Sequence, residues 1–183
     1  MKMSKGFHVI VLLLLLGAAV IWVTQEHERR EELANVPMPT ELHPIVEESK
    51  NELVDRAADK GIEVVITDGF RSKEEQDEIY AQGRTTEGSI VSYAEGGESY
   101  HNYGLAIDFA LRTESGNVVW DMEYDGNNNG KSDWMEVVDI AKDLGFEWGG
   151  DFARFNDYPH LQMTFGLSIR ELQRGERPDI TIE

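Results

Sequence analysis

Two short segments of the chain combine histidines and carboxylates at spacings that suit a metal site. In the first segment, His101 and Asp108 lie seven residues apart, with a glycine and an alanine between them. Such small residues let a backbone pass close to a ligand. In the second segment, Asp157 precedes His160 by three residues. The chain has no cysteine, so any metal site must be built from His, Asp or Glu.

Asp108 stands in a segment that otherwise has the pattern of a buried strand. Its neighbours on both sides are apolar, and a carboxylate in such surroundings costs free energy unless it meets a cation. A catalytic zinc site has three protein ligands and one position open for water, and His101, Asp108 and His160 would supply the three. Taken singly, His101 fits equally well as a core histidine and Asp108 as a buried, hydrogen-bonded carboxylate.

Hydrolysis at such a site needs two further groups. Zinc lowers the pKa of its bound water to roughly 7, and a nearby carboxylate must take the proton and hand it to the leaving amine. Asp157 is placed for that role, because it is close to the metal through His160 without being a ligand. Arg71, in the turn after the first predicted strand, is the best candidate to stabilise an oxyanion or hold a substrate carboxylate. The alternative for Arg71 is an ion pair with Glu74 or Glu75 on its own helix.

The pattern Ser99-x-His101-x-x-Gly104-x-Ala106-x-Asp108 resembles the SxHxxGxAxD signature of the zinc D-alanyl-D-alanine peptidase group. That group includes D,D-carboxypeptidases, D,D-dipeptidases and the L-alanyl-D-glutamate endopeptidases of cell walls and phage endolysins. The resemblance covers about residues 40–175, and four ordered segments within it are far more specific than one. The three that accompany the signature are Gly69-Phe70-Arg71-Ser72, Glu147-Trp148-Gly149-Gly150-Asp151 and Asp157-x-x-His160.

The resemblance implies a fold and a role for each site residue. The fold is α+β, similar to that of the D-alanyl-D-alanine peptidases and the Hedgehog signalling domain. Asp157 is implied as the general base, and Arg71 and Ser99 as residues near the substrate. Ser99 fits equally well as an ordinary loop residue. One zinc ion is implied, with three ligands: His101, Asp108 and His160.

Within the group, the sequence is most similar to the L-alanyl-D-glutamate endopeptidases. The base is Asp157 where the vancomycin-resistance type has a glutamate, and Gly-Gly-Asp after Trp148 and the run Pro159–Gln162 point the same way. We therefore expect hydrolysis of the L-alanyl-D-glutamate bond in peptidoglycan stem peptides. A D,D-carboxypeptidase that releases terminal D-alanine is the first alternative. A zinc-stabilised cell-wall binding module without turnover is the second, because fold alone does not settle activity.

Residues 125–136 fit the pattern of a calcium-binding loop. Gly130 stands at the sixth position, as the pattern requires, but Ser132 stands where an aliphatic residue is usual. The alternative is an Asn/Gly turn in which Asp133 caps the next helix and Glu136 completes a capping box. Calcium, if bound, would have oxygen ligands from Asp125, Asn127, Asn129, Asp133 and Glu136.

The N-terminus has the features of an export signal. Lys2 and Lys5 precede an apolar run from Phe7 to Val23 that contains one polar residue, His8, and no small-x-small cleavage site follows it. We expect residues 1–23 to be an uncleaved signal-anchor, with a cleaved signal peptide as the alternative. Residues 24–39 are expected to be a charged linker and residues 40–183 the zinc peptidase domain. The domain would then lie outside the cell, on the membrane or in the cell wall.

The net charge of the chain is -18 at pH 7, with no basic stripe after residue 30. A nucleic-acid partner is excluded, because phosphate binding needs clustered Lys and Arg. The expected partners are peptidoglycan stem peptides and, through an uncleaved anchor, the membrane. A length of 183 residues suits one domain with a short appendage. We expect the protein to be a monomer.

Periodicity and end signals predict one antiparallel sheet with helices packed against it, an α+β fold. Residues 84–100 are rich in Gly, Ser and Thr and are predicted as a loop. The predicted elements are a helix over 44–60, a strand over 62–67, a helix from Ser72 to Gly83, a strand over 105–111, a hairpin strand over 118–120, a helix over 133–144, a strand over 159–165 and a short helix capped by Ser168. The first helix has an apolar stripe formed by Ile45, Val46, Leu53, Val54 and Ala57. Ser72 and Glu75 predict a capping box at the start of the second helix.

Overall fold

The computed structural model describes residues 5–179, with side chains described from residue 12 onward except residue 13. Two short 3-10 helices are present, Tyr100–Tyr103 before the second strand and Gly149–Asp151 directly after the fourth strand. The other elements are α1 (Lys5–Ala34), α2 (Pro44–Ala58), β1 (Glu63–Asp68), α3 (Lys73–Ala81), β2 (Ala106–Arg112), β3 (Val118–Val119), α4 (Asp133–Asp143), β4 (Glu147–Trp148), β5 (His160–Gln162) and α5 (Ile169–Gln173).

The strands form one antiparallel sheet in the order β1-β2-β5-β4, and β3 pairs with the far end of β2. This confirms the predicted α+β class. Side chains on a strand alternate between its two faces. Ile107, Phe109 and Leu111 on β2 belong to the core cluster, so Asp108 points to the opposite face. In the sheet register, Asp108 lies directly opposite His160 of β5.

Helices α2 and α4 pack against each other, α2 also packs against β1, and α4 also packs against β2 and β4. The apolar stripe predicted for the first of them is buried at Val46, Leu53 and Ala57. On α4, the indole of Trp134 packs on Phe109, with ring centroids 4.4 Å apart. Both side chains are fully buried. The strand that carries Asp108 therefore has a closely packed apolar layer behind it, which holds its position.

Helix starts follow local sequence signals. The capping box predicted from Ser72 and Glu75 is present at the start of α3. At α4 the prediction is wrong by one residue, because Ser132 and not Asp133 is the N-cap and accepts a hydrogen bond from the amide of Met135 at 3.1 Å. The Asp133 carboxylate instead accepts a hydrogen bond from the amide of Gly126 at 2.9 Å. It thus closes the preceding loop.

The strands near the C-terminus differ from the prediction. The predicted strand over 159–165 is shortened to β5, which ends at Gln162. The reason is pairing: Gln162 already pairs with Ala106, the first residue of β2, and with Glu147, the first residue of β4. Beyond that point both neighbouring strands have ended. The two-residue strand β4 was too short for an alternating pattern to predict.

The chain divides into two compact units, one that contains α1 and one that contains the sheet with the remaining helices. Helix α1 includes the apolar run predicted as a signal-anchor or signal peptide. It continues to Ala34 through charged residues for which the sequence predicts a linker. Within residues 5–179, no helix is long and apolar enough to cross a membrane.

Candidate active site

Three elements bring the predicted metal ligands together. Asp108 and His160 face each other on β2 and β5, and His101 reaches them from the 3-10 helix Tyr100–Tyr103. The Asp108 Oδ1 atom lies 3.3 Å from His101 Nε2 and 3.2 Å from His160 Nδ1. The two ring nitrogens are 3.2 Å apart. Among the described residues, this is the group of histidines and carboxylates with the spacing to hold a metal ion.

In each histidine, the ring nitrogen that faces away from Asp108 has an oxygen atom as its hydrogen-bond partner. His101 Nδ1 lies 2.7 Å from the carbonyl oxygen of Gly69, so this nitrogen carries the proton and donates it. His160 Nε2 lies 3.0 Å from Gln162 Oε1 and donates in the same way. The amide of Gln162 is itself oriented, because its Nε2 donates to Glu147 Oε2 at 2.9 Å. Each ring therefore turns its second nitrogen toward Asp108, where it is free to bind a metal.

The geometry and chemistry of this group fit zinc. Metal–ligand bonds of about 2.0–2.1 Å in a tetrahedron place neighbouring ligand atoms roughly 3.3 Å apart, close to the three distances above. His101 and His160 are almost fully buried, while the Asp108 side chain is 24% exposed. Two neutral imidazoles and one carboxylate make a usual donor set for this ion. The exposed side of Asp108 leaves room for a water molecule and a substrate.

Asp108 is ionised in this position. Burial alone would raise the pKa of its carboxyl, but without a bound metal the hydrogen bonds and charge from His101 and His160 outweigh burial and hold that pKa below its usual range. A bound zinc ion would replace the protons of those hydrogen bonds. The site thus presents a negative charge in a largely buried place. Such a charge is stable only next to a cation, which is the reasoning that predicted the site from sequence.

Asp157 lines the same cleft as the three ligands. Its backbone is held against the 3-10 helix after β4, because its amide donates to the carbonyl of Gly149 at 3.0 Å. A side chain at position 149 would meet the Asp157 carbonyl at 2.2 Å, so only glycine fits there. Burial raises the pKa of the Asp157 carboxyl more than the neighbouring His160 lowers it. A carboxylate with a raised pKa beside a metal site is a suitable proton acceptor.

Arg71 also lines the cleft. Its amide donates to the carbonyl of His101 at 3.2 Å, and its guanidinium forms an ion pair with Asp68. Among the described residues, Arg71 has its ion pair with Asp68 and not with Glu74 or Glu75, so the alternative pairing is not formed. The guanidinium also donates to Gln76 Oε1 at 2.8 Å. Arg71 is therefore fixed at the edge of the site.

Ser99 lines the cleft and has a structural task as well. Its side chain is the N-cap of the 3-10 helix that carries His101, and its hydroxyl accepts from the His101 amide at 3.3 Å. Asn102 completes the box, since its Oδ1 accepts from the Ser99 amide at 3.3 Å. Ser99 thus positions a metal ligand whether or not it touches the substrate.

The cleft has a volume of about 780 Å³. Aromatic rings form much of its rim: Phe152 lies beside His160, with ring centroids 5.8 Å apart, and Phe155 lies 6.1 Å beyond Phe152. Tyr93 stands on the loop between α3 and the first 3-10 helix, and its side chain is exposed. These rings were not predicted, because no local pattern separates an aromatic cleft residue from a packed one.

Comparison with known proteins identifies the family. A family model described as D-alanyl-D-alanine carboxypeptidase matches residues 93–163, which include the three ligands and Asp157. The peptidoglycan L-alanyl-D-glutamate endopeptidase CwlK of Bacillus subtilis (strain 168) is 59% identical over 160 residues, which cover 87% of this chain and 96% of that protein. The chain belongs to the M15 peptidase family. It is therefore an enzyme.

Other relatives agree with this membership. The L-alanyl-D-glutamate peptidase of Listeria phage A118 is 34% identical over 133 residues, which cover 73% of this chain and 41% of the phage protein. Two solved carboxypeptidases share the fold at 21% identity. The LdcB LD-carboxypeptidase has a TM-score of 0.52, and the alignment covers 74% of this chain and 77% of the LdcB chain. The L,D-carboxypeptidase DacB from Streptococcus pneumonia has a TM-score of 0.51, and the alignment covers 79% of this chain and 83% of the DacB chain.

The predicted calcium loop of this M15 peptidase is not supported as a metal site. Its three carboxylates do not converge in the way that the zinc-type ligands do. The two Asp125 oxygens accept hydrogen bonds from the amides of Asn129 and Gly130 at 3.0 and 2.9 Å. Glu136 accepts from the side-chain amides of Asn127 and Asn129. The loop is closed by its own hydrogen bonds.

Sequence reasoning missed two buried amides that support the site. Gln162 lies two residues after His160 on β5 and therefore on the same face, so strand alternation was a signal that could have identified it. Gln76 lies on α3, fully buried, and its partners come from a loop that no pattern placed. Only the three-dimensional structure reveals the hydrogen bonds of Gln76.

Proposed function

We propose that this protein is a zinc-dependent endopeptidase that hydrolyses the L-alanyl-D-glutamate bond of peptidoglycan stem peptides. One observation carries the proposal: one ring nitrogen of His101 and one of His160 converge with the ionised Asp108 in an open cleft that Asp157 also lines. The other nitrogen of each ring is hydrogen-bonded to an oxygen away from this centre. The printed names of the relatives from Bacillus subtilis and Listeria phage A118 support this choice of bond.

The residues of the chain divide the chemical work. Bound zinc would polarise the scissile carbonyl and lower the pKa of a water molecule. Asp157 accepts the proton of that water as the water oxygen bonds to the carbonyl carbon, which gives an oxyanion. It then passes the proton to the nitrogen of the departing D-glutamyl residue as the amide bond breaks. His101, Asp108 and His160 are the ligands in this proposal, and their outward hydrogen bonds fix the orientation of the two rings.

Arg71 is proposed to hold the negative charge of the substrate or of the oxyanion. A guanidinium has five N–H donors, and the contacts with Asp68 and Gln76 occupy only some of them. The remaining donors are available to an oxyanion or to a carboxylate of the stem peptide. Ser99 lies close enough to line the same part of the cleft.

Digestion of purified muropeptides tests the proposal. We expect the protein to leave L-alanine on the muramyl group and to release the rest of the stem peptide, as measured by mass spectrometry. A metal chelator should abolish the reaction and added zinc should restore it. Release of free D-alanine instead would identify a D,D-carboxypeptidase. Binding of zinc and muropeptide with no product at all would indicate a binding module.

Export to the cell wall follows from this substrate. The lysines before the apolar run Phe7–Val23 support export through an N-terminal signal. We propose that residues 1–23 direct export, that residues 24–39 link this segment to the enzyme, and that residues 40–183 are the peptidase domain. Fractionation of the producing cells and mass determination of the mature N-terminus check whether the segment is retained as a membrane anchor or removed.

Calcium binding by residues 125–136 rests on the sequence pattern alone. Titration calorimetry of the zinc-loaded protein with Ca²⁺ gives a direct answer. Heat of binding together with a raised melting temperature would establish the second metal. Absence of both effects would remove it.

A further inference from the structure

Gln76 is a fully buried side chain that the mechanism above does not use. It lies on α3 and is 0% exposed, and a buried amide needs partners for both its oxygen and its nitrogen. Its Oε1 accepts from Arg71 Nη1 at 2.8 Å. Its Nε2 donates to the carbonyl of Ala94 at 2.8 Å and to the hydroxyl of Ser92 at 3.0 Å. One side chain thus joins the guanidinium to a loop.

The loop that Gln76 reaches is a wall of the active-site cleft. Ser92 and Ala94 both line the cleft, as Arg71 does. The loop is closed on itself by a hydrogen bond from the Ala94 amide to the Ser92 hydroxyl at 3.1 Å. Gln76 therefore connects two parts of the cleft surface that are about twenty residues apart in sequence.

The guanidinium of Arg71 is held from two sides. Asp68 pairs with Nη2 and Gln76 accepts from Nη1, and the side chain is only 13% exposed. Arginine side chains have many rotamers, and fixing one before the substrate arrives removes that entropic cost from the reaction. Two anchors at different nitrogens fix the plane of the guanidinium as well as its position.

A neighbouring tether on the same helix provides a comparison. Asp77 accepts from the amide of Gly96 at 2.7 Å, so it also fastens the loop to α3. Asp77 makes no contact with Arg71 among its hydrogen bonds and ion pairs in the described residues. The contact with Arg71 is what distinguishes Gln76 from its neighbour.

From these contacts we propose that Gln76 is a positioning residue of the peptidase. It holds the Arg71 guanidinium and the cleft wall at residues 92–94 in one arrangement, so that both meet the substrate together. The inference rests on the proposed function, because it assigns Arg71 to the stem peptide or its oxyanion.

A double-mutant cycle tests the inference. Gln76→Met keeps an unbranched side chain of similar size and removes all three hydrogen bonds. We expect kcat/KM on the muropeptide to fall about tenfold, with the zinc content unchanged and with the same division between kcat and KM that Arg71→Ala gives. In the Arg71→Ala background, Gln76→Met should lower kcat/KM by clearly less than this, because only the contacts with Ser92 and Ala94 remain to be lost. An equal loss in both backgrounds would mean that Gln76 supports only the fold, and would overturn the proposal.

Asp77→Ala is the matched control, since it loosens the same loop at Gly96 and leaves the partners of Arg71 in place. Any effect of this variant should be the same with and without Arg71. If instead Asp77→Ala shows the same coupling to Arg71 as Gln76→Met, the contact between Gln76 and Arg71 is not the cause.

A measurement without turnover separates this inference from the proposed function. In the full-length protein, nitrogen NMR of the Arg71 guanidinium, assigned by loss of the signal in Arg71→Ala, should show slow rotation that becomes fast in Gln76→Met. Gln76→Glu, which keeps the acceptor, should preserve the slow rotation and serves if the methionine variant does not fold. Fast rotation in the unmutated protein would refute the positioning role. If Arg71 rotates slowly but the protein leaves the stem peptides uncleaved, the proposed function is refuted and the positioning role of Gln76 is not.

Discussion

Hydrogen bonds outside the metal site decide which nitrogen each histidine turns inward. His101 offers Nε2 because its Nδ1 donates to a backbone carbonyl, whereas His160 offers Nδ1 because its Nε2 donates to Gln162. The two rings reach one centre from different elements and with different atoms. A carbonyl cannot be changed by substitution, but Gln162 can. The support of His160 is therefore the part of the site that mutation can test separately.

Gln162→Leu should weaken zinc binding. Without Oε1, the Nε2–H of His160 has no partner and the ring is free to turn or change tautomer, which we expect to lower zinc affinity about 10–100-fold. Competition with a chromophoric chelator measures the change. Gln173→Leu is the control, because that amide donates to the carbonyl of Gly97 at 3.2 Å and touches no ligand. Equal zinc affinity in the two variants would show that Gln162 does not support the site.

Asp157→Ala should separate metal binding from catalysis. Loss of a general base lowers kcat by about 10²–10⁴-fold, while the three ligands stay in place and zinc content is unchanged. Asp151→Asn is the control, since Asp151 forms a surface ion pair with Lys142 at 2.6 Å and does not line the cleft. Loss of zinc from Asp157→Ala would make Asp157 a ligand. Retained turnover would place the base elsewhere.

Elements differ in how far the sequence alone predicts them. The capping box of α3 was predicted because Ser72 and Glu75 carry the whole signal within four residues. The metal ligands were predicted because a motif combines them with small residues. The 3-10 helix Tyr100–Tyr103 was not predicted, since Asn102 stabilises it by donating to the carbonyls of Arg71 and Ser72, about thirty residues earlier. Sequence periodicity contains no such information.

Gly104 ends this 3-10 helix, and its substitution should disturb the element and the site together. Its φ is +67°, and an added Cβ would lie 2.3 Å from the carbonyl of Glu41. Gly116 also has a positive φ, +85°, but has nothing within 4 Å. We expect Gly116→Ala to cost about 1 kcal/mol and Gly104→Ala about 3 kcal/mol or more, measured by denaturant unfolding. Equal costs would show that the backbone at Glu41 yields without penalty.

At the scale of the whole molecule, the core and the site belong to the same compact unit. Each core residue in the cluster lies between Val46 and Leu172, and the cleft lining lies between Arg71 and Ile169. The net charge of -18 keeps the surface from sticking to anionic wall polymers. Nothing in the chemistry proposed for the cleft requires a residue before Met38. The boundary of the enzyme is therefore a testable property of the chain.

Deletion of residues 1–37 should leave a folded, zinc-binding monomer that cleaves soluble muropeptides at the full-length rate. The sequence places the start of the domain at residue 40, whereas the compact unit starts at Met38, which packs against the core with Leu42. A longer deletion, of residues 1–43, removes both side chains and the His43 cap of α2. We expect it to lower the free energy of unfolding by about 2 kcal/mol.

Thermal melts, size-exclusion chromatography with light scattering, and muropeptide turnover compare the two deletions. If the shorter deletion abolished folding or turnover, the unit that contains α1 would be part of the enzyme and not an appendage. If the longer deletion melted at the same temperature as the shorter one, Met38 and Leu42 would contribute nothing to the core. The domain would then begin at α2. The two deletions thus locate the boundary between the peptidase and the segment before it to within six residues.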